Sequence, residues 1–273
     1  ALITEKNIVI KLPDSVPEMV SESLSSLLAG VIITIVFLIF RALFAVTPYG
    51  NATDCIYTII QTPLQSLTGN LPAFIIIILI AQLLWFFGIH GSMTVLPILF
   101  PIWLSYIGDN TAAMAAGKTI PHVLNIGLWD LANLGGSGAT IGLVILMFFK
   151  AKSNQYKSFG KLTLPCGIFS VNEPVIFGLP VILNPIMLIP FIICPIVLVC
   201  LGYALIQFGI VTAPIGILGL GSMPPLISGI MQGSLSWGIY QLVAVVISII
   251  IYYPFFKTID NQALAKEKGE QGE

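Results

Sequence analysis

The stretch Val171–Pro185, VNEPVIFGLPVILNP, decides how this chain is interpreted, because it sets one carboxylate among strongly apolar residues. Glu173 stands between Asn172 and Pro174, and two further prolines follow before the stretch ends. An ionised carboxylate in hydrocarbon is strongly unfavourable, so Glu173 has to be neutral, paired or facing a water-filled cavity. Proline ends or kinks a helix. The stretch therefore predicts a broken membrane helix that carries a functional carboxylate.

The composition around this stretch is typical of an integral membrane protein. Of the 273 residues 57% are hydrophobic and 8% are charged, and the mean hydropathy is +1.00. Soluble domains carry about 25% charged residues. Several apolar runs reach the roughly 20 residues that a membrane-spanning helix needs. We predict an all-α, polytopic helical membrane protein with re-entrant hairpins and interfacial amphipathic helices.

Three parts of the chain differ in composition. Residues 1–23 predict an amphipathic linker or interfacial segment, residues 24–257 a membrane-embedded transport domain, and residues 258–273 a charged, solvated and frayed tail. The chain begins with Ala1, and we expect it to be part of a longer protein. The loop from Lys150 to Lys161 is basic and has no acidic residue, which predicts a cytoplasmic position.

Three polar islands interrupt the apolar segments: GIHG at Gly88–Gly91, NLGGSGAT at Asn133–Thr140, and NEP at Asn172–Pro174. Hydroxyl, amide and exposed backbone N–H groups in the second island suit recognition of a neutral polyol. Glycines beside His90 let another backbone or a ligand approach closely. The candidate binding residues are His90, Gly91, Asn133, Gly136, Ser137, Asn172 and Glu173, and the candidate catalytic residues are Glu173 and His90.

Plainer interpretations of the two titratable residues stay open at this point. Glu173 is also compatible with a turn at the membrane surface whose carboxylate caps the following helix, since Pro174 suits a first helical turn. His90, taken alone, is also compatible with a packed histidine. Trp129, just before the second island, is compatible both with stacking on a sugar and with an interfacial position.

The residue patterns of the sequence argue against several classes of site. The net charge is −1 and the basic residues do not cluster beside aromatic residues, so no nucleic-acid partner is predicted. Four dispersed cysteines form no CxxC pair and join no histidine set at ligand spacing, so we predict no metal. No phosphate-binding GxxxxGK[ST] loop occurs, and no cofactor is predicted.

Four motifs resemble one known family. KLPDSVPEMVSESLSSLL from Lys11, WFFGIHG from Trp85, NLGGSGAT and NEPVIFGLPVILNP are similar to those of enzyme IIC, the membrane permease of the bacterial phosphotransferase system. The branch is that of lactose and cellobiose, which includes diacetylchitobiose permeases. The resemblance implies a multi-pass protein of the bacterial cell membrane, surrounded by lipid, that binds and translocates a β-linked disaccharide. It also implies a homodimer of the full-length permease.

The resemblance further implies a share in phosphoryl transfer. A phosphocysteine on the separate IIB subunit, itself supplied by IIA, donates the phosphoryl group to the sugar 6-hydroxyl. Glu173 would hydrogen-bond that hydroxyl, as its base or only as an orienting group, and His90 would lie close to it. The two re-entrant hairpins would fall in Ala73–Tyr106 and Leu162–Ile182. Cys166 is not expected to carry the phosphoryl group, because no basic neighbour in sequence would activate it.

Two other function classes are compatible with the same residues. An ion-coupled secondary transporter would use Glu173 and His90 as a proton relay without phosphorylating the sugar. A structural membrane subunit would leave the transport site to other parts of the protein. A proton relay usually strings several titratable groups together, whereas the polar islands and their surroundings offer only Glu173, His90, Asp130 and Asp109. The sequence therefore favours the phosphotransferase permease.

Overall fold

The structure, a computed structural model, describes residues 18–52, 54–55, 69–179 and 181–270. The regular elements within these ranges are helices, and no β-strand occurs in them. The predicted all-α fold class is therefore confirmed. In chain order the helices are α1 (Glu18–Ala45), α2 (Leu71–Phe86), α3 (Gly91–Ala115), α4 (Ile126–Ala132), α5 (Ile141–Lys150), α6 (Asn154–Ile168), α7 (Glu173–Gly178), α8 (Pro185–Gln207), a 3-10 turn (Leu220–Ser222), α9 (Ile227–Met231) and α10 (Leu235–Glu270).

The chain divides into two compact units, residues 1–63 and 64–273. The first unit contains α1, which continues without a break across the predicted boundary after residue 23. Most of the predicted linker, residues 1–17, lies outside the described residues. The division of the chain into linker, membrane domain and tail stays a prediction.

Three helices of the second unit are long and apolar enough to cross a bilayer, counted over the described residues: Gly91–Ala115, Pro185–Gln207 and Leu235–Gly269. The interior of α3 contains Pro97 and Pro101. Such prolines are tolerated in membrane helices because neighbouring groups satisfy the backbone carbonyls that they free. Re-entry of the two predicted hairpins into the membrane stays a prediction.

The core of the second unit lies around α8 and α10. The long helix α10 packs against α5, α8 and α9, while α8 also packs against α2 and α4. The largest fully buried side chains are aromatic and include Trp85, Trp103, Trp237, Tyr252 and Phe74. These helices surround the glycine-rich loop 133–140 that joins α4 to α5, which places the second polar island inside the packed unit.

The glycine-rich loop is held from behind by α10. The hydroxyl of Ser248 donates to the Ala139 carbonyl at 2.7 Å and accepts from the Gly142 N–H at 3.1 Å. The hydroxyl of Tyr252 donates to the Gly138 carbonyl at 2.7 Å. Because buried backbone groups need partners, these bonds fix the loop to α10 in one conformation.

The C-terminal segment corrects one prediction, since residues 258–270 are helical and not frayed. Asp260 is buried and accepts from the backbone N–H groups of Lys152 and Ser153 at 2.8 and 3.1 Å. Glu267 accepts from the N–H groups of Asn154 and Gln155 at 3.0 and 2.9 Å. Carboxylates at a helix N-terminus pair with its free N–H groups and its dipole. The acidic residues that indicated a solvated tail instead attach α10 to the start of α6.

Candidate functional site

His90 lies in the turn that joins α2 to α3, where it caps the start of α3. Its ring Nδ1 accepts from the backbone N–H of Met93 at 3.1 Å. The turn depends on Gly88, whose φ of 81° is in the region that favours glycine. A neutral imidazole has one donor and one acceptor nitrogen. Since Nδ1 accepts, the proton of the neutral ring lies on Nε2.

Glu173 begins α7, and its carboxylate faces His90. The distance between His90 Nε2 and Glu173 Oε1 is 3.7 Å, and the side chains are 35% and 48% exposed, so a ligand can reach both. Glu173 stands in the first turn of α7 with Pro174 beside it, where a carboxylate interacts favourably with the helix dipole. The N-cap residue of α7 is Asn172, and no hydrogen bond joins the Glu173 carboxylate to the backbone of α7 in the described part of the chain.

Trp85 packs beside the pair formed by His90 and Glu173, in contact with the His90 ring. Its ring packs against the His90 ring at an interplanar angle of 44°, with centroids 4.1 Å apart, and the Phe177 ring meets it edge-on at 6.2 Å. The indole Nε1 is buried and has no hydrogen-bond partner among the described residues. Trp85 thus restrains the His90 ring from one side, and it belongs to the same WFFGIHG motif.

Asn172 joins the Glu173 turn to the glycine-rich loop. Its buried amide donates to the Ser137 carbonyl at 2.7 Å and to the Thr140 hydroxyl at 3.0 Å. A Cβ atom added at Gly136, where φ is 97°, would lie 2.1 Å from the Asn172 Cγ atom. The loop therefore needs glycine at this position, because any larger residue would separate it from Asn172.

A second polar network links the same loop to α3. The hydroxyls of Ser92 and Ser137 lie 3.0 Å apart. Ser137 donates to the Asn133 side-chain oxygen at 3.2 Å, and the Asn133 amide donates to the Trp129 carbonyl at 2.8 Å. Neutral groups that both donate and accept therefore lie next to the His90 turn, as recognition of hydroxyls requires.

Asp130, on α4, adds a partly buried acid to this region. Its Oδ2 atom is buried and has no hydrogen-bond partner among the described residues. The helix α4 lies outside the three candidate spans. Burial disfavours the charged form of a carboxyl group and raises the pKa of Asp130 from its ordinary value of 3.8 to about 8. Burial therefore favours the neutral form of Asp130.

These groups line one cavity of about 220 Å³. It opens between the His90 turn, the Glu173 turn, the glycine-rich loop, α4 and the 3-10 turn. No three histidine, cysteine, aspartate or glutamate side chains come together as a metal site in the ranges that the structure describes. The lining residues are Trp85, His90, Ser92, Met93, Leu96, Trp129, Asp130, Asn133, Gly136, Ser137, Ser170, Asn172, Glu173, Gly221 and Ser222.

The profile of the family described as "Phosphotransferase system, EIIC" matches residues 2–195 of the chain. The chain belongs to this EIIC family. The lichenan permease IIC component of Bacillus subtilis (strain 168) is 38% identical over 271 residues, which cover 97% of this chain and 60% of the relative. The cellobiose-specific EIIC component of Geobacillus stearothermophilus is 38% identical over 273 residues, covering 98% and 60%. The predicted membership of the lactose and cellobiose branch is confirmed.

A solved EIIC structure has the same fold. It is the crystal structure of the transporter ChbC, the IIC component from the N,N'-diacetylchitobiose-specific phosphotransferase system, with a TM-score of 0.73 and 38% identity. The match covers 98% of this chain and 63% of that one. The chain thus spans about three fifths of the length of the EIIC proteins that it matches.

Most of the predicted site residues come together in this EIIC chain. The cavity is lined by His90, Glu173 and four others of the predicted set, namely Asn133, Gly136, Ser137 and Asn172. Gly91 does not line it. A Cβ atom at Gly91 would lie 1.9 Å from the Ala81 carbonyl oxygen, so this glycine allows α3 to start directly against α2. The roles of these residues stay predictions.

Six polar or aromatic residues outside the sequence-based set also line the EIIC cavity: Trp85, Ser92, Trp129, Asp130, Ser170 and Ser222. Trp85 and Ser92 stand within a few positions of His90, so that proximity was the available signal. Ser222 lies on a 3-10 turn far from every polar island in sequence, and no local pattern indicates that it returns to the site.

A larger cavity of about 670 Å³ lies elsewhere in the second unit. Its walls include Met114, Lys118, Ile206 and Val211, and none of its described lining residues is a histidine or an acid. Acid–base chemistry needs a group that can take or give a proton. The smaller cavity, which has His90 and Glu173, is therefore the better candidate site despite its size.

Proposed function

We propose that this chain binds a β-linked disaccharide, of the cellobiose or diacetylchitobiose type, and presents its 6-hydroxyl for phosphorylation by a IIB subunit. The single observation that carries the proposal is the 3.7 Å separation of His90 Nε2 and Glu173 Oε1 inside one cavity. A hydroxyl oxygen about 2.8 Å from both atoms completes a triangle with them. One hydroxyl can thus donate to the carboxylate while it accepts from Nε2–H.

The reaction assigned to this arrangement is an in-line displacement at phosphorus. The hydroxyl oxygen forms a bond to the phosphorus of the IIB phosphocysteine, the S–P bond breaks, and the hydroxyl proton passes to Glu173. His90 donates from Nε2 and stabilises charge on the reacting oxygens. Phosphoryl transfer depends mainly on positioning and charge stabilisation, and the Met93 N–H and the Trp85 ring supply the positioning of His90.

The substrate class follows from the rest of the cavity and from the family. Hydroxyl and amide groups of Ser92, Ser137 and Asn133 suit a neutral sugar, and Trp129 contributes an aromatic surface to the lining. The relatives named for lichenan, cellobiose and N,N'-diacetylchitobiose support a β-linked sugar. We further propose that the chain crosses the bacterial cell membrane several times and is surrounded by lipid. IIA supplies the phosphoryl group to IIB, and the longer permease forms a homodimer.

The ion-coupled alternative has less support from the cavity. The titratable groups that line the cavity are His90, Glu173 and Asp130. One other ion pair occurs among the described residues, His122–Asp109, and neither of its members lines this cavity. A relay across a membrane needs a longer series of such groups.

The proposal is tested in lipid vesicles that contain the chain, with cellobiose and with purified IIB and its phospho-donor present or absent. We expect phosphosugar to form only when IIB and the donor are both present. Accumulation of free sugar under a proton gradient, with no phosphosugar, would instead establish the ion-coupled alternative.

Glu173→Gln tests the role of the carboxylate as a base. The amide keeps a hydrogen-bonding group but cannot accept the proton, so we expect phosphorylation to fall by about 10²- to 10⁴-fold. Sugar binding should change by less than about tenfold, because the amide oxygen still accepts from the hydroxyl and only the extra strength of a bond to a charged acceptor, about 1 kcal/mol, is lost. Glu267→Gln is the matched control outside the cavity, and its phosphorylation rate should stay near that of the unmodified chain. Unchanged phosphorylation in Glu173→Gln would leave Glu173 an orienting group only.

A further inference from the structure

One end of the second unit, formed by the segment that joins α5 to α6 and by the last turns of α10, carries an excess of positive charge. Residues 150–161 contain four lysines and no acid, and residues 257–269 contain three lysines and two acids. All seven lysine side chains are exposed. We call this surface the lysine face, and it consists of Lys150, Lys152, Lys157, Lys161, Lys257, Lys266 and Lys268.

The two acids at this end do not neutralise the lysine face, because both carboxylates bind groups around the start of α6. Asp260 accepts from two backbone N–H groups and from the Ser153 hydroxyl at 2.7 Å. Glu267 accepts from the N–H groups of the first two residues of α6. None of the seven lysines forms an ion pair within the ranges that the structure describes. Their positive charge is therefore available to an anion outside the chain.

Exposed apolar side chains stand directly beside the lysines of α5 and α6. In the pair Phe149–Lys150 the aromatic ring is 69% exposed, and in the pair Lys161–Leu162 the leucine is 73% exposed. The two helices touch at this point, since a Cβ atom at Gly160 would lie 2.6 Å from the backbone nitrogen of Phe148. Both pairs follow directly on that contact and so lie at the same level of the molecule.

The helix α10 repeats this arrangement. Tyr253 is 47% exposed and lies one turn before the exposed Lys257. The rings of Tyr156 and Phe256, 6.1 Å apart, align this part of α10 with the start of α6. At a bilayer surface an ammonium group reaches the lipid phosphates while a neighbouring aromatic or apolar side chain enters the boundary of the acyl chains. The repeated pairing therefore favours lipid over a water-soluble phosphoprotein as the partner of this surface.

We propose that the lysine face binds the phosphate groups of anionic phospholipids and selects these lipids over zwitterionic ones. The inference rests on the proposed position of the chain in a membrane, and it goes beyond that position by assigning the lipid charge and the residues. Each ammonium group donates to phosphate oxygens, and Phe149 and Leu162 contact the start of the acyl chains. A zwitterionic headgroup binds less well because its own cation opposes the lysines. Clusters of this size recognise anionic lipids, and each lysine contributes about fivefold in affinity.

The test compares two lipids that differ only in headgroup charge. Native mass spectrometry of the chain in detergent measures the binding of phosphatidylglycerol and of phosphatidylcholine with the same acyl chains. We expect the unmodified chain to prefer phosphatidylglycerol by at least about tenfold. The triple variant Lys150→Gln, Lys157→Gln and Lys161→Gln should bind phosphatidylglycerol roughly 100-fold more weakly, since three factors of about five are lost. Lys118→Gln, an exposed lysine outside the lysine face, is the control and should keep the full preference.

Two further probes separate a lipid from a free anion. Leu162→Ser should weaken phosphatidylglycerol binding by about fivefold through lost apolar contact, whereas Phe208→Ser, equally exposed but outside the lysine face, should leave it unchanged. Inorganic phosphate should compete with the lipid only weakly, because it has no acyl chain. Equal binding of the two lipids would overturn the inference, as would an unchanged preference in the triple variant. Unchanged binding in Leu162→Ser, or phosphate competing as strongly as lipid, would overturn it as well.

Phosphosugar formation with IIB is measured separately in vesicles of phosphatidylcholine, so that the two proposals fail in different ways. If the triple variant loses phosphosugar formation but keeps its lipid preference, the lysines dock the IIB protein and the lipid inference falls. If no phosphosugar forms with any variant and the triple variant loses its preference for phosphatidylglycerol, the lipid inference stands and the phosphotransferase function falls.

Discussion

Replacing Asn172 by alanine should separate the glycine-rich loop from the Glu173 turn. The change removes the two bonds that the amide donates, at 2.7 Å to the Ser137 carbonyl and 3.0 Å to the Thr140 hydroxyl. Loss of its buried partner costs the carbonyl about 1–3 kcal/mol, and loss of an ordinary hydrogen bond costs about 0.5–1.5 kcal/mol. Thr140 keeps its own bond to the Gly135 carbonyl. The free energy of unfolding should therefore fall by about 2–4 kcal/mol.

Thermal unfolding in detergent, followed by tryptophan fluorescence, measures this loss. A change of 1 kcal/mol lowers Tm by about 2–4 °C in a chain of roughly this size, so we expect a fall of roughly 4–16 °C. Asn184→Ala is the matched control, because it removes an asparagine cap at the start of α8, away from the cavity. It should cost about 1 kcal/mol, as cap removals typically do.

A second measurement separates local from global effects of the Asn172 change. Because Glu173 follows Asn172 directly, IIB-dependent phosphorylation at a temperature where the variant is folded should fall, whereas Asn184→Ala should keep it. If Asn172→Ala melts no earlier than Asn184→Ala, then the amide does not hold the loop, and the reasoning from its two bonds is refuted.

Two further substitutions test how the site is supported. Gly91→Ala places a Cβ atom 1.9 Å from the Ala81 carbonyl oxygen, so we expect no folded protein when the yield is measured by size-exclusion chromatography. The control is Gly108→Ala, whose added Cβ atom has nothing within 4 Å and should leave stability unchanged or raise it by up to about 1 kcal/mol. A normal yield of Gly91→Ala would show that the two helices do not meet there. Ser248→Ala removes the partner of the Gly142 N–H at the start of α5 and leaves the Ala139 carbonyl with only the weak contact from the Cys194 thiol at 3.9 Å. The free energy of unfolding should fall by about 2–4 kcal/mol, whereas Thr258→Ala, exposed on the same helix, should change it little. Equal melting temperatures for these two variants would contradict the assigned role of Ser248.

Local patterns predicted much of the fold. Apolar runs of spanning length predicted long helices, and α8 and α10 are such helices. The breaks were also visible, because glycine and proline act on the backbone of their own segment. The His90 turn falls at GIHG and the Glu173 turn at NEP, where glycine and proline predicted a break between helices. The frayed tail was wrong because charge alone does not reveal whether a carboxylate has a backbone partner.

Part of the candidate site could not be predicted in this way. Asn172 was predicted to bind substrate, but its amide hydrogens are taken by groups 35 and 32 positions away in the sequence. Asp130 was noticed as a titratable group, yet nothing near it in the sequence indicates that its carboxyl oxygen is buried without a partner. Both facts depend on which distant segments come into contact.

The sequence by itself determined the all-α membrane class, the places where helices break, and the choice of His90 and Glu173 as candidate site residues. Each of these follows from hydropathy or from the chemistry of a short segment. Only the tertiary structure decided that those two side chains meet at 3.7 Å, that Trp85 and Asp130 share their cavity, and that α10 holds the glycine-rich loop. The physical reason is that such contacts arise from the packing of segments far apart in the chain. The residues next to a side chain in sequence do not indicate which distant segments it will contact.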